Sequence, residues 1–154
     1  MSRWATGADR VSSMITAGEL ERVAASQENA ERLLAEAGRH LRSARLLAGE
    51  DLAGAYDLLY AAARKAMAAA LAVQGLRATS RGGHLAIQEA VTAQLGVTGS
   101  IVRPFGRLRR TRNDADYPRM DSPELTADDI GDDLPKAEAI VDAMTRLIPH
   151  LQPW

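Results

Sequence analysis

The chain has 154 residues, of which 46% are hydrophobic, 25% are charged and only 4% are aromatic, and its formal net charge is -1. It contains no cysteine, which excludes a disulfide scaffold, a cysteine-based zinc site and a thiol enzyme. The three histidines are too far apart in the sequence for a local metal motif, so neither a metal nor another cofactor is predicted.

Alanine makes up nearly a fifth of the chain, with 29 residues, and alanine is the strongest helix former. Aromatic side chains, on which sheet cores draw heavily, are scarce. We therefore predict an all-α fold, an up-and-down bundle of four or five helices. No apolar run reaches the ~18 residues that a membrane span needs. The first nine residues lack the apolar stretch of a secretory signal, so a cytoplasmic location without membrane contact is expected.

The N-terminal part is predicted to begin with a flexible arm over residues 1–15, followed by one domain over 16–152. Thr16 and Glu19 have the spacing of a capping box, which predicts a short helix from residue 16 to about 25. Two long helices follow, over about 27–48 and 52–74. Both carry apolar residues at helical spacing along one face, and the alanines of the second allow a neighbouring helix to approach closely.

Three more segments complete the predicted bundle. A helix is expected over about 84–95 and another over about 100–116, which stops before Pro118 because the residue preceding a proline avoids the α region. Residues 118–135 are rich in proline and aspartate and are predicted to form a loop with at most one helical turn. A last helix is expected over about 136–150. No period-two alternation predicts a strand.

Charge is distributed unevenly along the C-terminal half. Residues 103–119 hold six arginines and two aspartates, a net charge of +4, whereas residues 121–142 hold eight carboxylates and one lysine, a net charge of -7. Arginine presents a planar fork that matches phosphate oxygens, so Arg107, Arg109 and Arg110 are candidate RNA or phosphate contacts. Two alternatives stay open: the codon bias of a GC-rich genome explains the arginines, or the acidic segment folds back and neutralises the basic helix.

The densest polar cluster is predicted at the end of the helix over 100–116. At helical spacing Arg109, Arg112 and Asp116 lie on one face, and Asn113 and Tyr117 lie on the adjoining face. Such a group can hold a phosphodiester, with Arg112 neutralising its charge and Asn113 orienting it. The alternative is a surface ion pair between Arg112 and Asp116, which contributes only a few tenths of a kcal/mol.

Several short motifs carry a resemblance to a known family over about residues 27–150. They are the Ala/Tyr-rich stretch over 55–66, then Gly75, Thr79 and His84, and finally the Arg-Asn-x-Ala-Asp-Tyr sequence over 112–117. In these features the chain resembles the HEPN superfamily, helical proteins named for their occurrence in higher eukaryotes and prokaryotes. The resemblance implies a four- or five-helix bundle, often a homodimer whose polar motifs face each other across a shared cleft.

The resemblance also implies an activity and a partner. Many HEPN members are metal-independent ribonucleases of bacterial toxin–antitoxin or defence systems, frequently encoded beside a nucleotidyltransferase antitoxin. Their motif is an arginine, often followed by a polar residue, and a histidine further along. Arg112 and Asn113 match its first half, but Tyr117 stands where the histidine is expected and the next histidine is His150.

A replacement for that histidine is not obvious. Asp116 is a weak base and Tyr117 a weak acid at their ordinary pKa values. His84 can take part only if its helix begins near the cleft; otherwise it ties down the loop over 77–83. The sequence thus predicts a non-catalytic or weakly catalytic HEPN-like module that binds RNA, a nucleotide or a partner protein through Arg112, Asn113, Asp116 and Tyr117. The alternatives are a metal-independent endoribonuclease toxin and a structural dimerisation bundle.

Overall fold

The computed structural model describes residues 4–154 and shows a helical bundle with one small sheet. Its elements in chain order are α1 (Ala8–Thr16), β1 (Leu20–Arg22), α2 (Gln27–Leu47), α3 (Leu52–Gln74), β2 (Leu76–Ala78), α4 (Gly83–Leu95), α5 (Phe105–Asp116) and α6 (Ala127–Leu147), with 3-10 turns at Gly96–Val102 and Ile148–His150. The predicted all-α class is confirmed, although this part of the chain has six α-helices rather than four or five. None of these helices is long and apolar enough to cross a membrane.

Helix α3 is the centre of the bundle and packs against α2, α4, α5 and α6. The Asp51 side chain caps its start by accepting from the Gly54 N–H at 2.9 Å, and Gly75 ends it in the left-handed region at φ 74°. A side chain at Gly75 would place its Cβ 2.7 Å from the Val23 carbonyl oxygen. The predicted bounds of 52–74 are confirmed because both ends carry these local signals.

The prediction for the N-terminal part is wrong from Ala8 onward. Helix α1 occupies much of the predicted arm and buries Val11 and Met14 in the core; residues 1–3 of that arm lie outside the described residues. Thr16 is the last residue of α1 rather than a cap, so the helix predicted over 16–25 does not form.

Part of that segment is instead a strand, which the sequence pattern did not predict. Strand β1 pairs antiparallel with β2, with Leu20 opposite Ala78 and Arg22 opposite Leu76. Leu20 and Leu76 are buried under this ladder. Three-residue strands are too short to show alternation, and their pairing depends on two segments far apart in the sequence.

The predicted loop over 118–135 is also wrong in its second half. Helix α6 begins at Ala127, after a capping box in which Thr126 and Asp129 bond each other's backbone N–H groups. The helix then continues through Pro135. Proline usually marks a helix boundary because it lacks an N–H, which is why the sequence favoured a start at 136. Helix α5, by contrast, begins later than predicted, at Phe105.

A buried amide pair holds the end of α3 against α4. Gln74 and Gln94 are 1% and 2% exposed, and their side chains donate to each other at 2.5 and 3.0 Å. Their backbone carbonyls accept from the two ends of the described chain. Trp4 Nε1 donates to the Gln94 carbonyl at 2.8 Å, and the Trp154 N–H donates to the Gln74 carbonyl at 2.7 Å.

Candidate functional site

A polar cleft of about 320 Å³ lies where α3, the start of α4 and α5 meet. We call it the arginine cleft, and the residues that line it are Asp57, Leu58, Tyr60, Ala61, Arg64, His84 and Arg112. Helix α3 contributes most of these residues because positions three and four apart fall on one helix face. The cleft thus brings together two residues that the sequence singled out, Arg112 and His84.

Tyr60 forms the floor between these two side chains. Its ring stacks on that of Phe105 at a centroid distance of 5.1 Å, and Phe105 is fully buried at the start of α5. On the other side the Arg112 guanidinium lies 5.5 Å from the centre of the Tyr60 ring, a cation–π contact. The stack therefore fixes α5, and with it Arg112, against α3.

Arg112 is also bonded to neighbouring polar side chains. Its Nε lies 3.0 Å from Asp116 Oδ2 and 3.5 Å from Asp57 Oδ1, and its Nη1 donates to Asn113 Oδ1 at 3.2 Å. The ion pair considered as an alternative for Arg112 and Asp116 is therefore present. The ion pair holds the Arg112 guanidinium in place at the edge of the cleft. Arg112 is thus ion-paired with Asp116 and at the same time part of the cleft lining.

The charge on His84 is controlled by its surroundings. Burial lowers the pKa of the imidazole below its ordinary value, and the charges of Arg64, Arg112 and Arg109 lower it further. The neutral ring shares a hydrogen bond of 2.5 Å between Nδ1 and the Tyr60 hydroxyl. Burial raises the pKa of Tyr60, so this hydroxyl keeps its proton.

Tyr60 is buried and its hydroxyl has no other acceptor among residues 4–154, so we assign it as the donor and Nδ1 as the acceptor. The ring proton of the neutral imidazole then sits on Nε2. No hydrogen bond from residues 4–154 engages Nε2. His84 can accordingly offer an N–H donor to a molecule in the cleft.

Asp57 is a carboxyl group under competing influences. Burial raises its pKa, and the hydrogen bond and negative charge of nearby Asp116 raise it further, while Arg112 lowers it. Its buried Oδ1 makes no hydrogen bond in the described chain and has only the 3.5 Å ion-pair contact with Arg112. Asp57 is therefore harder to ionise than an ordinary aspartate.

Two further arginines lie near the cleft without an ion-pair partner in the described chain. Arg64 forms neither a hydrogen bond nor an ion pair within residues 4–154. Arg109 is close enough for its charge to lower the pKa values of both Tyr60 and His84, and its buried Nε has no hydrogen-bond partner there. The cleft therefore has an excess of positive charge.

The other residues predicted from the sequence are placed less centrally. Asn113 and Asp116 contact Arg112 but do not line the cleft, and Tyr117 follows the end of α5 with 75% of its surface exposed. Arg107 and Arg110 are exposed and also lie outside the lining. The polar residues on α3 were missed, although Asp57, Tyr60 and Arg64 interrupt an alanine-rich helix at regular spacing, a signal that could have identified them.

Arg107 instead belongs to a second polar network, which connects α3, α5 and α6. Its centre is Asp133, a fully buried carboxylate that accepts from the Tyr56 hydroxyl at 2.7 Å. Lys136 and Arg107 lie 3.2 and 3.4 Å from its other oxygen. The acidic segment thus neutralises one arginine of α5, as one alternative proposed, and leaves the arginine cleft open.

Comparisons with known proteins add no assignment, since no family model, curated protein or solved structure matches the chain. Within residues 4–154, no three His, Cys, Asp or Glu side chains are grouped so that they could hold a metal ion.

Proposed function

We propose that the chain is a HEPN-like helical module that binds single-stranded RNA by its phosphate backbone in the arginine cleft. The observation that supports this most directly is the convergence of Arg64, Arg112 and the Nε2–H of His84 on one open cleft of about 320 Å³. Charge-assisted hydrogen bonds from guanidinium groups are the strongest contacts that proteins make to phosphate oxygens. A phosphodiester in this cleft would meet donors from three different elements.

The charge balance supports an anionic ligand. Asp57 and Asp116 offset part of the charge of Arg112, but Arg64 and Arg109 lack a partnering carboxylate among residues 4–154. A half-buried cation is costly to leave unpaired, because its surroundings solvate it less well than water does. A bound phosphate would supply the missing negative charge.

The positions of the protons on the His84 ring favour RNA binding over RNA cleavage as the function of the cleft. A general base needs a free lone pair within reach of the hydroxyl that it deprotonates. In the assigned tautomer Nδ1 accepts from Tyr60 and Nε2 carries hydrogen, so neither nitrogen is available. Of the substitutes considered for a catalytic histidine, Asp116 is bonded to Arg112 and Tyr117 lies outside the cleft.

Arg64 offers a sharp test because its removal breaks no hydrogen bond or ion pair in the described chain. We expect Arg64→Ala to weaken binding of a fluorescently labelled single-stranded RNA in anisotropy titrations. The slope of log K against log salt should decrease by about 0.7 to 1, as expected for one lost phosphate contact. Arg112→Ala should act in the same direction.

The matched control is Arg146→Ala on α6, whose side chain is 80% exposed and pairs with Asp142. It should leave both the affinity and the salt slope unchanged. Equal RNA binding by wild type and by Arg64→Ala across the salt series would show that RNA does not bind in the arginine cleft.

A second candidate function is metal-independent RNA cleavage, and one observation favours it. His84 lies in the same cleft as Arg112, which restores the arginine–histidine combination that the HEPN resemblance implies. If the chain is a ribonuclease toxin, wild type should cut single-stranded RNA in EDTA and His84→Ala should not. Intact RNA after prolonged incubation with wild type would leave only the binding function.

The same resemblance implies partners, and we include them in the proposal. A homodimer would place two arginine clefts together, and Leu85, next to His84 in sequence, offers apolar surface there with 54% of its area exposed. Light scattering after size-exclusion chromatography should then give twice the 16.5 kDa mass of the chain. A nucleotidyltransferase antitoxin would be the partner of a toxin, and co-purification with such a protein tests that role.

A further inference from the structure

A second cavity, of about 300 Å³, lies beside the arginine cleft between α2, α3 and the two-stranded sheet. We call it the aliphatic pocket. Its apolar walls include the side chains of Leu33, Ala68, Leu71, Leu76 and Ile87. Leu71 and Leu76 are almost completely buried, so the floor of the pocket belongs to the core of the bundle.

Arg64 lines both the aliphatic pocket and the arginine cleft. Along α3, Tyr60 and Arg64 face the cleft, whereas Arg64 and Ala68 face the pocket. Helix α4 shows the same order, with His84 at the cleft and Ile87 at the pocket. The two cavities therefore lie end to end along α3, with the unpaired guanidinium of Arg64 where they meet.

We propose that the aliphatic pocket binds the base of the nucleotide whose phosphate lies in the arginine cleft, an inference that rests on the RNA-binding function proposed above. A base taken out of its stack is held between apolar faces and recognised at its polar edges. Arg64 and Ala68 are one helical turn apart, roughly 6 Å along the axis. This separation matches the reach from the phosphate of a nucleotide to its base.

The pocket also has polar groups suited to the edge of a base. Asn29 lines it, and its Oδ1 accepts from Arg32 at 2.8 Å, which leaves the amide N–H₂ available to donate. Arg77 lines it as well, held in position by two hydrogen bonds to Glu21. A purely apolar occupant would cover these donors without satisfying them, whereas a base carries acceptors on its edge.

The test compares two RNA hexamers of equal charge, one with bases and one in which every base is replaced by hydrogen. Wild type should bind the hexamer with bases about tenfold more tightly, as expected when one base is held between side chains. Arg112→Ala should weaken the binding of both strands, because it acts on the phosphate.

Ala68→Leu fills the pocket and should reduce the affinity for the base-bearing hexamer to that of the abasic one, whose own affinity should not change. Ala35→Leu, the same substitution on the exposed surface of α2, is the control and should keep the tenfold preference. Asn29→Ala, at a half-buried position in the first turn of α2, should reduce the preference several-fold. This variant tests the pocket if Ala68→Leu does not fold.

The two proposals fail in different ways. If wild type binds both hexamers equally, the base pocket is wrong while phosphate binding stands. If wild type binds neither hexamer, both proposals are wrong. A preference for bases that survives in both Ala68→Leu and Asn29→Ala would place base recognition outside the aliphatic pocket and overturn the inference.

Discussion

At the residue scale, His84 shows how one neighbour determines the chemistry of an imidazole. The Tyr60 hydroxyl occupies Nδ1, and burial, together with the surrounding arginines, lowers the pKa of the ring. In the free protein His84 is therefore a neutral donor at neutral pH. An anion bound beside it would favour the charged ring, so anion binding and proton uptake should be linked.

This linkage gives a pH dependence with a definite sign. A phosphodiester does not titrate near neutrality, and a bound phosphodiester raises the pKa of His84 relative to the free protein. RNA affinity should consequently increase as the pH falls from 7.5 to 5.5, measured by anisotropy at constant salt. His84→Gln, which keeps a side-chain N–H donor but cannot be charged, should show a flatter profile. An unchanged profile in His84→Gln would exclude His84 as the titrating group.

A second prediction at the residue scale concerns the hydroxyl of Tyr56 and the stability of the fold. Burial raises the pKa of its hydroxyl, as does its hydrogen bond to Asp133. Tyr56→Phe would leave a fully buried carboxylate oxygen without its donor, at a cost of about 1–3 kcal/mol in the free energy of unfolding. Urea denaturation measures the change. Tyr117→Phe, the same substitution at an exposed hydroxyl, should stay within about 0.5 kcal/mol of wild type.

At the element scale, α6 is a helix that forms despite an internal proline. Its capping box at Thr126 satisfies N–H groups at its start, and its buried residues Ile130, Ala137, Ile140 and Met144 attach it to α3. Pro135 cannot donate to the Gly131 carbonyl one turn earlier. Packing against α3 outweighs the cost of this missing hydrogen bond, because most of the stability of helices in proteins comes from tertiary packing.

Replacing Pro135 should recover the stability that its missing hydrogen bond costs. Pro135 is exposed, so Pro135→Ala restores a backbone hydrogen bond without disturbing the core and should raise the free energy of unfolding by about 1–3 kcal/mol. Thermal unfolding followed by circular dichroism measures the gain. Pro153→Ala lies outside any helix and should give no increase. A loss of stability in Pro135→Ala would show that the proline is accommodated without strain.

The success of the sequence prediction differed among the elements for physical reasons. Helices α2 and α3 were predicted closely because their apolar positions follow the helical period, and in the structure Ser26 and Asp51 cap their first turns. Helix α1 was missed because Val11 and Met14 are its only fully buried residues, too few to show a helical period. The sheet was missed because its pairing is not local. The early start of α6 was missed because Pro135 suggested a boundary that packing overrides.

The candidate site, like the set of helices, was predicted only in part. The sequence pointed to Arg112 and its neighbours because polar residues are dense there, and His84 was considered only on condition that its helix begins near them. Arg64 and Asp57 were missed because their importance comes from facing α4 and α5, and a helix periodicity does not reveal which partner covers each face.

At the scale of the whole molecule, the pair of Gln74 and Gln94 joins parts of the chain that are distant in sequence. Both amides are buried and bond each other, while their backbone carbonyls accept from Trp154 and Trp4. Polar groups at such depth are tolerated only when they are satisfied. The pair therefore fixes how α4 and both ends of the described chain meet α3.

A double-mutant cycle would measure this coupling. Gln94→Leu leaves the Gln74 amide buried without its partner and should cost about 1–3 kcal/mol in the free energy of unfolding. The double variant, with Gln74→Leu as well, should lose less than the sum of the two single variants, because no unsatisfied amide remains. Additive losses in urea denaturation would mean that the two side chains stabilise the fold independently.

The placement of the tryptophans has a spectroscopic consequence. The chain has only two, Trp4 and Trp154, and both bond to backbone carbonyls at the same end of α3, one by its indole N–H and one by its backbone N–H. Gln74 is 14 residues beyond Tyr60 on that helix, roughly 21 Å along the axis. Intrinsic fluorescence excited at the indole band therefore reports on detachment of the chain ends and leaves the cleft unobserved. A ligand titration needs another probe, and an emission change on adding RNA would itself signal communication along α3.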